Sequence, residues 1–191
     1  MPTAQYNFSL LKPKYWSSWL LVGFSWLLAV LPSSAQAAIS VRLARRLAAS
    51  RNSRIRTIKQ NIERCFADKT EAYRGQLLQD NLESSLLMGF DLLNMVWRPA
   101  EKVTETVQLI GGEYLERAVA EDKGVLLVTG HFTVICQMFS QLGVLQECYS
   151  LYRRMDNPVL EAQIYQRAIR KYSLKLIHRK DIRDMLAKLA D

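Results

Sequence analysis

The chain has 191 residues, of which 49% are apolar and 23% charged. That is long enough for one folded domain and too apolar for a disordered one. Three cysteines, an odd number without tight spacing, argue against a disulfide scaffold and fit a reducing compartment.

The net charge of +8 is unevenly placed. No acidic residue precedes Glu63, whereas nine basic ones do: Lys12, Lys14, Arg42, Arg45, Arg46, Arg51, Arg54, Arg56 and Lys59. The rest of the chain is nearly balanced. A basic block of this kind points to nucleic acid or to an anionic membrane surface.

Residues 15–41 carry no charge, and "YWSSWLLVGFSWLLAVL" at 15–31 is the most apolar part. It holds Trp16, Trp19 and Trp26, a residue type that favours the membrane interface. Seventeen residues is the lower limit for crossing ~30 Å of hydrocarbon. Four readings stay open. A cleaved signal peptide would use "AQAA" at 35–38 as its processing site. A transmembrane anchor and a helix lying in the membrane plane are the second and third. A buried core helix is the fourth. The basic residues from Arg42 to Lys59 oppose export, because positive charge beside an apolar segment stays on the cytoplasmic side. They lack interleaved aromatics and match no groove-reading motif, so membrane phosphates are expected as their partner and nucleic acid is not.

Further along, residues 39–66 read as helix from the spacing of Leu43 and Leu47, then of Ile55, Ile58 and Ile62. Residues 70–97 predict a long amphipathic helix with Leu78, Leu82, Leu86 and Leu93 on its apolar stripe, stopped by Pro99. The rhythm then changes. "VQLIG" (107–111), "GVLLVT" (124–129), "CYSLYR" (148–153) and "LKLIH" (174–178) read as strands, the second as a buried parallel one. Helical patterns at 112–123, 131–143, 158–172 and 182–190 lie between and after them. The predicted fold class is α/β: N-terminal membrane-associated helices (1–62), then a partial domain with a parallel-type sheet and flanking helices (63–191).

His131 follows the strand candidate "GVLLVT" with only Gly130 between, and precedes a helix. Sites in open α/β sheets form at the carboxyl ends of strands. A helix N-terminus there disfavours imidazolium and keeps a neutral base available. A structural histidine is the competing reading. Cys136, five residues on, sits in the apolar pattern of Phe132, Ile135 and Phe139 and reads as packing rather than as a nucleophile. Arg153 and Arg154 follow a strand candidate, and so does Arg179. All three suit an anionic ligand, and each could equally be a solvated surface charge. His178 has no motif partner and reads as exposed or packed. No CxxC pair or HExxH occurs, so no metal site is expected.

The segments "KPKYWSSWLL", "RTIKQNIERCF", "NLESSLLMGFDLLNMVW", "KGVLLVTGHFT", "LYRRMDNPVLE" and "HRKDIRDMLAKL", in this order, resemble the lipid A late acyltransferases of Gram-negative bacteria. Those enzymes belong to the wider glycerolipid-type acyltransferase fold. The resemblance implies transfer of a fatty acyl chain from acyl carrier protein to a hydroxyl of a lipid A precursor. The place implied is the cytoplasmic side of the inner membrane, among its lipids, with no cofactor beyond the acyl donor. It implies a His-x4-Asp/Glu dyad in which His131 matches the general base and Cys136 stands where the orienting carboxylate is expected. It also implies an anion-binding role for an arginine at 153 or 154, with Arg179 a second candidate. Members of the family continue past position 191, so the chain reads as a shortened or truncated member. A non-catalytic membrane-associated remnant or interaction protein is the alternative.

Overall fold

The computed structural model describes residues 8–130, 132–145, 148–172 and 174–190. Two short 3-10 turns, Phe8–Leu11 and Pro13–Tyr15, lead into α1 (Trp16–Val30). Pro32 bends the chain by 117° into α2 (Ser33–Ala48). The single helix expected over 39–66 is broken: α3 (Ser53–Cys65) starts afresh where Asn52 caps it, its side chain accepting from the Arg54 N–H at 2.8 Å. The long helix α4 (Glu71–Trp97) forms as its pattern demands. Thr70 caps it by accepting from the Tyr73 N–H, and Pro99 follows its end.

Beyond α4 come α5 (Ala100–Thr104), α6 (Gly112–Ala120) and α7 (Ile135–Leu145). Then β1 (Tyr149–Tyr152) leads to α8 (Pro158–Leu160), which runs through a π turn (Glu161–Tyr165) into α9 (Gln166–Lys171). The last elements are β2 (Lys175–His178) and α10 (Ile182–Ala190). β1 and β2 pair in parallel, Tyr149 opposite Lys175 and Tyr152 opposite His178. The α/β character is therefore present, in a mostly helical chain with a two-stranded sheet among the described residues.

Two expected strands are corrected. Residues 107–111 form no strand, and Gly111, at φ 82°, turns the chain directly into α6. Residues 124–129 pair with nothing and are not buried: Leu126 is 79% and Val128 89% exposed. A strand holds only where a neighbour accepts its ladder hydrogen bonds, and among the described residues none lies beside this run.

The core has two parts. Ala44, Ile55, Ile62, Leu78 and Leu82 join α2, α3 and the first half of α4. Val22, Met95, Val96, Val103, Val159 and Tyr172 join α1, the end of α4, α5 and the α8–α9 region. The end of α4 is fixed from outside by Lys171, whose ammonium donates to the carbonyls of Met95, Val96 and Arg98. α7 seats against the same region through Gly143, where a Cβ would overlap the Tyr172 carbonyl oxygen.

No single helix among the described residues is long and apolar enough to cross a membrane, and only the bent pair of α1 and α2 passes that test together.

Candidate functional site

The parallel pairing decides which of the sequence-predicted residues meet. Tyr152 and His178 end adjacent strands in register. The next residues, Arg153 with Arg154 and Arg179, therefore leave the same carboxyl edge of the sheet. The Arg179 N–H donates to the Tyr152 carbonyl at 3.0 Å, which ties the two strand ends together. All three arginines are exposed. Arg153 forms a loose ion pair with Asp156 at 3.6 Å, on the surface, where such pairs hold little energy. His178 is partly buried and meets the Tyr152 ring edge-on, with centroids 6.1 Å apart. Its Nδ1 accepts from the Lys180 N–H at 3.3 Å.

The loop carrying Arg153 and Arg154 is held by two side chains, Asn157 and Glu161. Asn157 caps α8, its Oδ1 accepting from the N–H groups of Val159 at 3.0 Å and Leu160 at 3.2 Å. Its Nδ2 donates to Ser18 Oγ on α1 at 2.8 Å. Glu161, only 7% exposed, accepts from the Met155 N–H at 2.9 Å and from Gln166 Nε2 at 2.7 Å. Asn157 thus ties the loop to α8 and α1, and Glu161 ties it to the π turn, an element that often marks functional positions. The Asn-Pro pair is a capping signal legible in the sequence. Glu161 has no such signature.

Cys136 lies in the first turn of α7, partly buried and packed against the core that includes Met95 and Val159. Burial, with the charge of Asp91 on α4 added to it, pushes its thiol up from 9.0 to about 11. At neutral pH it is an uncharged group. Asp91 is itself half-buried, and burial raises its carboxyl from 3.8 to about 6. Tyr165 of the π turn is raised as well, by burial first and then by Cys136, Glu161 and Tyr152. It stacks on Tyr152 with centroids 6.1 Å apart. Asp91, Cys136 and Tyr165 form one electrostatic chain, Asp91 acting on Cys136, and Cys136 with Glu161 acting on Tyr165. Asp91 could have been suspected from the sequence, as the one acid in the apolar run "LLMGFDLLNMVW".

His131, the expected base, lies outside the described residues. Among the described residues no three His, Cys, Asp or Glu side chains are grouped to hold a metal ion.

A family model described as bacterial lipid A biosynthesis acyltransferase matches residues 3–191. A lipid A biosynthesis lauroyltransferase of Escherichia coli strain K12 is 28% identical over 187 residues, which is 97% of this chain and 60% of that protein. A lipid A biosynthesis palmitoleoyltransferase of the same strain is 24% identical over 189 residues, 98% of this chain and 61% of that protein. A lipid A biosynthesis acyltransferase of Haemophilus influenzae is 27% identical over 128 residues, 67% of this chain and 40% of its own length. The chain thus spans about three fifths of the length of the two Escherichia coli relatives. No solved structure matches it. With a family model matched from residue 3 to residue 191, the chain belongs to the bacterial lipid A biosynthesis acyltransferases.

Proposed function

We propose that the chain transfers a fatty acyl group from acyl carrier protein to a hydroxyl of a lipid A precursor, at the cytoplasmic face of the bacterial inner membrane. The family match over residues 3–191 carries this reading. His131 takes the proton of the acceptor hydroxyl as its oxygen attacks the thioester carbonyl. The tetrahedral intermediate then expels the carrier protein's thiolate, which receives that proton from the imidazolium, and the new ester bond is complete. Arg153, Arg154 and Arg179, gathered at one sheet edge, bind anionic groups of the substrates through paired charged hydrogen bonds. No metal enters this scheme.

One observation favours a second reading, a non-catalytic membrane-associated or interaction protein. Cys136 stands where the resemblance calls for a carboxylate, and its thiol, pushed up to about 11, brings no negative charge at neutral pH to stabilise an imidazolium.

The test is acyl transfer by membranes holding the chain, with charged acyl carrier protein and a lipid A precursor. The expected result is measurable transfer, raised by Cys136→Glu and lowered on the order of 10²-fold or more by His131→Ala. Absence of transfer by both the native chain and Cys136→Glu would sink the enzyme reading in favour of the second.

A further inference from the structure

The helix α1 is amphipathic the wrong way round for a core helix. Its buried face is Ser18, Val22, Ser25 and Ala29, small or polar residues. Its large side chains face out: Trp16 is 62% exposed, Leu20 77%, Phe24 55% and Leu27 56%. With Trp19 and Leu11 they line an open apolar groove of about 700 Å³.

The inward polar groups are all engaged by protein. Ser18 Oγ accepts from Asn157, and Ser25 Oγ accepts from the Trp97 indole at 3.0 Å. Arg98 donates to the Ala29 carbonyl at 2.9 Å and the Leu31 carbonyl at 2.6 Å, which closes the helix's C-terminal end. α1 is therefore pinned along its length to α4 and α8 and cannot be surrounded by lipid. Its 15 residues reach only ~22 Å at 1.5 Å each, short of ~30 Å of hydrocarbon. A charged residue stands at each end, Lys14 before it and Arg98 against its last carbonyls.

The surroundings choose the occupant. Arg42, Arg45, Arg46, Arg51, Arg54 and Arg56 are exposed, make no ion pair among the described residues, and have no acidic neighbour earlier in the chain. An apolar face whose flanking segments carry unneutralised cations fits an anionic lipid surface, which takes the side chains into its acyl region and the arginines at its phosphates. We infer that α1 lies flat in one leaflet of an anionic bilayer, its Trp16–Leu27 face among the acyl chains and both of its ends on the same side of the membrane. This deepens the membrane-surface part of the proposed function, and it stands or falls independently of catalysis.

The test uses vesicles of phosphatidylethanolamine and phosphatidylglycerol with acyl chains brominated at one of two depths. Two single-tryptophan chains report depth: one keeps Trp16 (Trp19→Phe, Trp26→Phe, Trp97→Phe), the other Trp26 (Trp16→Phe, Trp19→Phe, Trp97→Phe). Both tryptophans are expected at the same shallow depth. A spanning helix would put Trp26 about 15 Å deeper than Trp16, and that result overturns the inference. So does vesicle binding without quenching, the outcome if protein, such as a second copy, covers this face.

Because Trp97 bonds to Ser25, the unmodified chain supplies a second readout. Trypsin added outside preformed vesicles is expected to cut both after Lys14 and after Arg51, on the two sides of the α1–α2 pair. Protection of one site until the vesicles are permeabilised overturns the single-leaflet placement. Replacing phosphatidylglycerol by phosphatidylcholine is expected to weaken binding about tenfold, and equal binding overturns the assignment to an anionic surface. A chain that binds this way but transfers no acyl group leaves the inference intact and removes only the enzyme reading.

Discussion

Replacing Asp91 by asparagine isolates the least comfortable group near the candidate site. Burial raises this carboxyl from 3.8 to about 6, and no cation pairs with it among the described residues. The folded state therefore disfavours the ionised form. Below pH ~4 the group is protonated folded or unfolded and the penalty vanishes; it grows between ~4 and ~6 and is full above. A rise of this size is worth ~3 kcal/mol for a sealed group. Asp91 is only half-buried, so water screens part of the charge, and ~1–2 kcal/mol is the expected penalty at pH 7.5. Asp91→Asn keeps the shape and removes the charge. Urea unfolding of the detergent-solubilised chain should show it more stable than the native chain by ~1–2 kcal/mol at pH 7.5, with the difference fading as pH falls to ~4. Cys136 gives an independent readout. Loss of the Asp91 charge should lower its thiol from about 11 and speed its alkylation, though burial, the larger cause, keeps it slower than the exposed Cys65. Lower stability of Asp91→Asn at pH 7.5 would refute the reasoning, because it would mean that the carboxylate has a favourable partner.

Gly143→Ala should destabilise the fold by ~1–3 kcal/mol, since the new methyl group would overlap the Tyr172 carbonyl and press on Leu174, 3.2 Å away, forcing α7 off its seat. An unchanged urea midpoint would show that α7 can shift freely. Asn157→Ala removes the cap on α8 and the bond to Ser18, with an expected loss of ~1–2 kcal/mol. The amide hydrogens of Val159 and Leu160 should exchange faster in that variant, and unaltered exchange would show that the loop bearing Arg153 and Arg154 is held by Glu161 alone.

Local signals were legible where a residue acts on its own neighbours. The cap at Thr70, the leucine spacing and the stop at Pro99 delimit α4 without reference to the rest of the chain. The strands at 149–152 and 175–178 and the helices at 158–171 and 182–190 follow from similar short-range patterns. The runs at 107–111 and 124–129 show the limit. Their apolar composition matches a strand, but a strand also needs a partner along its edge, and no local pattern encodes one. The break at 49–52 leaves no clear mark in the periodicity, because the isoleucine spacing resumes after it and hides Asn52 as a second helix start.

For the site, the sequence by itself determined the residue types: arginines after two strand candidates, a cysteine in the helix after "GVLLVTGH", and an uncharged tryptophan-rich segment before a basic block. Tertiary structure alone decided that Arg153, Arg154 and Arg179 share one edge, because that depends on the parallel register of Tyr152 with His178, 26 positions apart in the chain. It decided that Asp91 sits where it raises the Cys136 thiol, through the packing of α4 against α7. It also decided which way α1 faces. An apolar run with serines has no periodicity strong enough to choose a side; bonds from Asn157, Trp97 and Arg98, all more than 65 residues away, turn Ser18 and Ser25 inward and leave Trp16, Leu20, Phe24, Trp26 and Leu27 outside.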